Sequence, residues 1–145
     1  MWIKEKTNQL KARYKTNCPY QMGEYLKIHI LQHDLHHEIN GYYKYDRRNQ
    51  YIVINDNLDQ HYQRVVCAHE LGHAILHPRI NTPFMRRNTF LSVDKVEREA
   101  NRFAAELLIP DESIYQLNNI HHVASLHNIP VELVRLKQCC KEGLF

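Results

Sequence analysis

The chain has 145 residues, a formal net charge of +3, 24% charged and 43% hydrophobic residues, an ordinary balance for a globular protein able to bury a real core. No apolar run approaches the length of a membrane span, and Met1 to Tyr14 lacks the apolar stretch of a secretory signal, so the expected location is the cytoplasm. Cys18, Cys67 and the pair Cys139-Cys140 form neither a disulfide framework nor a Cys-x-x-Cys knuckle, and the basic clusters at Lys4 to Lys15, Arg47-Arg48 and Arg86-Arg87 are short enough to be ordinary solvated faces.

Residues 1 to 16 read as a polar helix, broken at Cys18-Pro19, with a short helix from Tyr20 to Lys27. Three β-branched and aromatic runs follow: Ile28, Ile30 and Leu31; then Tyr42, Tyr43 and Tyr45; then Tyr51 to Ile54. Asp46-Arg47-Arg48-Asn49 separates the last two as a turn, and Gly41 and Asn55 punctuate the ends, so a small antiparallel sheet of about three strands is expected. From Asp59 the period becomes helical, with Val65, Ala68, Gly72, Ile75 and Leu76 on one stripe and Pro78 as the stop. A loop marked by Asn81-Thr82-Pro83 leads to a second helix from about Asp94 to Ile109. Ser113 to Lys141 reads as two or three short helices divided near Asn128-Ile129-Pro130. The class is α+β. With no repeat or Gly/Ser/Pro-rich linker, residues 1–145 are expected to form a single domain, residues 113–141 serving as core packing or as a docking appendage.

The first helix after the sheet carries His69-Glu70-Leu71-Gly72-His73. Residues four apart lie one above the other on a helix, so His69 and His73 can aim two imidazoles at one point, with Glu70 within reach of a water held there. Two nitrogen ligands beside a carboxylate base are what zinc-assisted peptide hydrolysis requires. Shuffling a composition with 11 His yields His-Glu-x-x-His in roughly one sequence in twenty, so the surroundings must carry the rest.

A catalytic zinc site takes a third protein ligand. The next helix offers Glu97, Glu99 and Glu106. Glu97 falls about 60° from the centre of the apolar stripe, whereas Glu99 and Glu106 share a face with Arg98 and Arg102 that reads as solvated and ion-paired. Asp94-Lys95-Val96-Glu97 equally fits a capping box, in which Glu97 would serve its own helix terminus. The upstream pair of histidines favours the ligand. His33, His36 and His37 read as an exposed polar edge or loop. His77, one turn beyond His73, stands either near the site or at the negative end of the helix before Pro78.

Three stretches together resemble the ImmA/IrrE family of metallo-endopeptidases: Cys67 to His77, with His-Glu-Leu-Gly-His at its heart; Phe84-Met85-Arg86-Arg87-Asn88-Thr89-Phe90; and Glu97-Arg-Glu-Ala-Asn-Arg-Phe-Ala-Ala-Glu-Leu-Leu-Ile-Pro110. The similarity spans roughly residues 20 to 125, including Ile52-Val53-Ile54-Asn55 before the active-site helix, and the third stretch is the specific one. The resemblance implies a small zincin-like (glutamate-zincin) fold in which His69, His73 and Glu97 ligate Zn2+ and Glu70 is the catalytic base. Asn101 falls where such proteins place a polar residue that orients a ligand histidine. It also implies a protein substrate, a helix-turn-helix repressor whose cleavage derepresses a phage or mobile element. Two other readings stay open at this point: an antirepressor that acts by binding alone, and a DNA-binding regulator suggested by the helical-hairpin look of His122 to Arg135, whose second helix offers only Arg135 and Lys137 as basic contacts.

Overall fold

The run Tyr51-Ile52-Val53-Ile54 takes the centre of the sheet. In a computed structural model describing residues 2–81, 85, 89–92, 94–116 and 119–142, with side chains described through 137, strands β1 (His29–His33), β2 (Gly41–Asp46) and β3 (Asn49–Asn55) lie in the order β1-β3-β2. Thr82-Pro83, Phe84, Arg86-Arg87, Asn88 and the side chains of Cys139-Cys140 lie outside the described residues.

The expected antiparallel sheet is mixed. β2 and β3 form an antiparallel hairpin, Gly41 opposite Ile54 and Asp46 opposite Asn49, whereas β1 runs parallel to β3 with His29 opposite Tyr51 and His33 opposite Asn55. The cause is burial. Ile52, Val53 and Ile54 are covered on both faces, and a continuous apolar run belongs in the middle of a sheet, so β3 inserts between the two less apolar strands. The hairpin turns through Arg47 and Arg48, both at positive φ (51° and 67°), the twist a two-residue β-turn needs. Asn55 anchors the crossover from β1 to β2: its Nδ2 donates to His36 O at 2.7 Å and Ile39 O at 3.0 Å, and its Oδ1 accepts from Leu35 N at 3.2 Å.

Helices α1 (Trp2–Tyr14) and α2 (Pro19–Tyr25) precede the sheet, as the break at Cys18-Pro19 predicts. Helix α3 (Gln60–Leu76) starts at Asp59, whose carboxylate accepts from Tyr62 N at 2.9 Å. It lies between the sheet and α4 (Lys95–Leu108) and is buried continuously from Val65 to Ala74. At Gly72 the two helices nearly touch, since a Cβ there would stand 3.0 Å from Ala100 O and 3.1 Å from Phe103 Cβ. The far end of α3 is tied to the hairpin: Gln50 Nε2 donates to Ala74 O at 2.8 Å and the Tyr43 hydroxyl donates to Pro78 O. The first bond satisfies a carbonyl in the last turn of the helix, and the second holds the chain just beyond it.

Beyond α4 come α5 (Asp111–Gln116), α6 (Ile120–His127) and α7 (Val131–Glu142), and α6 ends at Asn128 in the left-handed conformation, φ 55°. Helices α1 and α7 both pack on α4, with Leu133 and Val134 fully buried. Glu106 therefore lies buried under both, 3.4 Å from Lys137 Nζ and 3.5 Å from Arg102 Nε, and not on the solvated face read from α4 alone. Among the described residues no helix is long and apolar enough to cross a membrane.

Candidate metal centre

The capping signal at the start of α4 and the carboxylate of Glu97 have separate jobs. Asp94 caps the helix, its Oδ1 accepting from Val96 N at 3.0 Å and Glu97 N at 3.3 Å. The Asp94 N–H goes to Ser92 Oγ at 3.2 Å, so Glu97 does not close a capping box. Its two oxygens reach across to α3 instead, Oε2 standing 3.1 Å from His69 Nε2 and Oε1 3.1 Å from His73 Nε2. The two imidazole nitrogens are 3.2 Å apart.

Two imidazole nitrogens and one carboxylate thus form a triangle of three groups, each nitrogen facing a different oxygen of Glu97. Ligand bonds of about 2.0–2.1 Å in tetrahedral array put donor atoms about 3.3 Å apart, so the triangle has the size and donor set that a zinc-like divalent ion takes. His69 and His73 are fully buried, their rings meeting edge to face at 4.8 Å, and Glu97 is mostly covered.

The tautomer of His69 follows from its neighbour. Asn101 Nδ2 donates to Thr89 O at 2.9 Å, which leaves Oδ1 facing His69 Nδ1 at 2.7 Å. An amide oxygen only accepts, so His69 carries a proton on Nδ1, which leaves Nε2 as the nitrogen a metal ion would take. Phe90, on a 3-10 turn at Thr89–Leu91, covers the same imidazole edge-on at 6.2 Å.

Glu70 lies beside this triangle, 1% exposed, with a carboxylate oxygen inside the 4.8 Å cluster that includes His69 and His73. Its Oε2 has no hydrogen-bond partner among the described residues. Burial pushes its carboxyl up to about 8, His73 opposing the rise and the Glu97 charge adding to it. Burial would also raise Glu97, but hydrogen bonds and charge from His69 and His73 outweigh it and hold that carboxyl down at about 2. Two carboxylates beside the same pair of histidines are thereby separated into an anionic donor and a group that can exchange a proton near neutrality.

Comparisons with known proteins give the family of the chain. The family model of the IrrE N-terminal-like peptidase domain matches residues 23–137. The chain belongs to the ImmA/IrrE family. Metallopeptidase ImmA of Bacillus subtilis (strain 168) is 40% identical over 114 residues, 77% of this chain and 66% of that protein. The uncharacterized immunity region protein 2 of Bacillus phage phi105 is 51% identical over 139 residues, 93% of this chain and 88% of that protein. Membership of this metallopeptidase family brings with it a metal ion and a protein substrate.

In this ImmA/IrrE member the remaining sequence candidates divide clearly. His77 sits at the C-terminal end of α3, its N–H donating to His73 O at 2.8 Å, and also beside the site: its Nε2 is 3.3 Å from Glu99 Oε1 and its ring 6.0 Å from that of His73. His33, His36 and His37 are exposed and away from the centre. The helical hairpin at His122 to Arg135 is real, but Lys137 turns inward to Glu106 and Asp111, leaving Arg135 alone exposed of the two basic contacts. Phe90 and the Thr89 carbonyl carry no ligand chemistry of their own. The resemblance of the Phe84 to Phe90 stretch was the one signal pointing to them.

Proposed function

We propose that this chain is a zinc-dependent endopeptidase of the cytoplasm, acting as one domain over residues 1–145, that cuts a helix-turn-helix repressor and so derepresses a phage or mobile element. The observation that carries the reading is the 3.1, 3.1 and 3.2 Å triangle of His69, His73 and Glu97 with a buried, half-unpartnered Glu70 beside it. His69, His73 and Glu97 would hold the ion, and Asn101 would keep His69 in the ligating tautomer. Zinc held there would supply Lewis acidity, lowering the pKa of bound water toward about 7 and polarising a peptide carbonyl.

The remaining work falls to the protein's own groups. Glu70 takes the proton of the attacking water and delivers it to the departing amine, a shuttle suited to a carboxyl poised near neutrality. The apolar surroundings of α3, with Phe90 over His69, keep bulk water from the base and strengthen each charge interaction there. The repressor as substrate is supported by the names of the relatives, an immunity region protein and a metallopeptidase.

Purified protein, zinc and the repressor encoded nearest to it, incubated together and followed by mass spectrometry, test the reading. Discrete fragments lost on chelation are expected. A stable complex without fragments would replace the peptidase with an antirepressor that works by binding.

A further inference from the structure

A cleft of about 330 Å³ opens between α1, α4 and α7, on the flank of α4 opposite Glu97. Its α4 wall is Lys95, Arg98, Glu99 and Arg102, which share a face at 100° per residue. Three cations against one acid leave this wall with a surplus of two positive charges. The acid is already engaged, since Glu99 Oε1 is 3.3 Å from His77 Nε2.

Two features set this cluster apart from an ordinary solvated face. Lys95 and Arg98 occupy the first turn of a 14-residue helix, where the positive end of the dipole disfavours cations, and neither has an acid partner among the described residues. Arg102 is more telling: its Nε and Nη2 are buried without a hydrogen-bond partner among the described residues, Nε standing 3.5 Å from a Glu106 that Lys137 also claims. Nε has the Glu106 carboxylate beside it, so Nη2 is the donor left without an acceptor; a buried guanidinium N–H in that state is costly, and an oxyanion is a partner that fits it.

The other walls are apolar and partly aromatic. Ile3 and Leu136 line the interior, and the indole of Trp2 stands 53% exposed at the cleft. A flat exposed ring next to unpaired cations offers stacking for a base alongside charge for phosphate. The volume is that of a small-ligand pocket rather than a polymer groove. We propose that this cleft binds a nucleotide, its phosphates held by Lys95, Arg98 and Arg102 and its base stacked on Trp2. This assignment is independent of the peptidase reading.

Trp2 is the sole tryptophan of the chain, so intrinsic fluorescence excited at the red edge of its absorption reports this cleft alone. Titration of the full chain with ATP should give a saturable change in emission, with weaker competition from inorganic pyrophosphate and none from adenosine. Arg98 is exposed, so Arg98→Ala should keep the melting temperature while weakening ATP by about tenfold or more, the effect of losing one charge-assisted contact. No saturable change, equal affinity in Arg98→Ala, or pyrophosphate binding as tightly as ATP would each overturn the proposal.

Discussion

Asn101 locks His69 into one tautomer: its amide hydrogen goes to Thr89 O at 2.9 Å, and its oxygen receives the imidazole Nδ1–H at 2.7 Å. In the proposed metal centre this bond orients the ring and raises the basicity of Nε2. Asn101→Ala should lower metal affinity by about 10–100-fold, the usual effect of removing a hydrogen-bond partner behind a ligand histidine. Competition with a chromophoric chelator measures this, and unchanged affinity would show that packing alone aligns the ring.

Glu70 stands one residue along α3 from His69, with a carboxylate oxygen within 4.8 Å of a ring nitrogen of His69 and of His73. Glu70→Gln preserves volume and leaves all three proposed ligands intact. Metal content and unfolding midpoint should stay at the parent values, while cleavage falls by about 10²–10⁴, the range for losing a general base. Fragment yield against time on the repressor substrate gives the answer, and parent-level cleavage would remove Glu70 from the mechanism.

The spacing of α3 from α4 fixes where Glu97 meets the histidines, and Gly72 sets that spacing. Alanine in mid-helix ordinarily gains about 1 kcal/mol over glycine. Here the added Cβ meets the Ala100 carbonyl oxygen at 3.0 Å and its Cα at 3.1 Å, backbone atoms that move only with the helix. Overpacking of this kind costs about 1–3 kcal/mol, so Gly72→Ala should be net destabilising by about 1 kcal/mol in urea unfolding and should also weaken metal binding. A stabilised variant would mean that α4 yields freely.

The candidate site was legible because it rests on regular helices. The four-residue spacing of His69 and His73, and the inward angle of Glu97, project directly into space once each helix is recognised. The choice between cap and ligand for Glu97 was not decidable from α4 itself, since it turns on what α3 places opposite. Glu106 shows the same limit from the other side. Its face looks solvated along α4, and only the packing of α1 and α7 buries it. The expectation of an all-antiparallel sheet failed for a related reason, because alternation identifies strands but pairing depends on which one the whole core covers.

Lys137 is 4% exposed, donates to Ile109 O, and pairs with Asp111 Oδ1 at 2.8 Å and, as a longer ion pair, with Glu106 Oε2 at 3.4 Å. Lys137→Met would leave Glu106 buried beside Arg102 alone. Removing one member of a buried pair costs about 3–5 kcal/mol, most of it from the stranded charge. Glu106→Gln in the same background should therefore restore part of the loss in denaturant unfolding. If the double variant were no more stable than Lys137→Met, the stranded-charge account would fail.

Asp111 gives the same cluster an acid limb. Burial acts to raise its carboxyl, but the hydrogen bond and charge of Lys137, with Lys4 and Lys11 behind, hold it below the ordinary aspartate value. A carboxyl depressed in the folded state contributes fully above its unfolded pKa, and that contribution fades as pH falls toward and through the folded one. Asp111→Asn should therefore narrow the difference from the parent as pH drops below about 4, with the two unfolding midpoints converging in acid. The group is partly exposed, so the separation at neutral pH should be modest and should shrink with added salt. A gap between parent and variant that held constant from neutral pH down to the acid limb would show that Asp111 holds α7 through shape and not through charge.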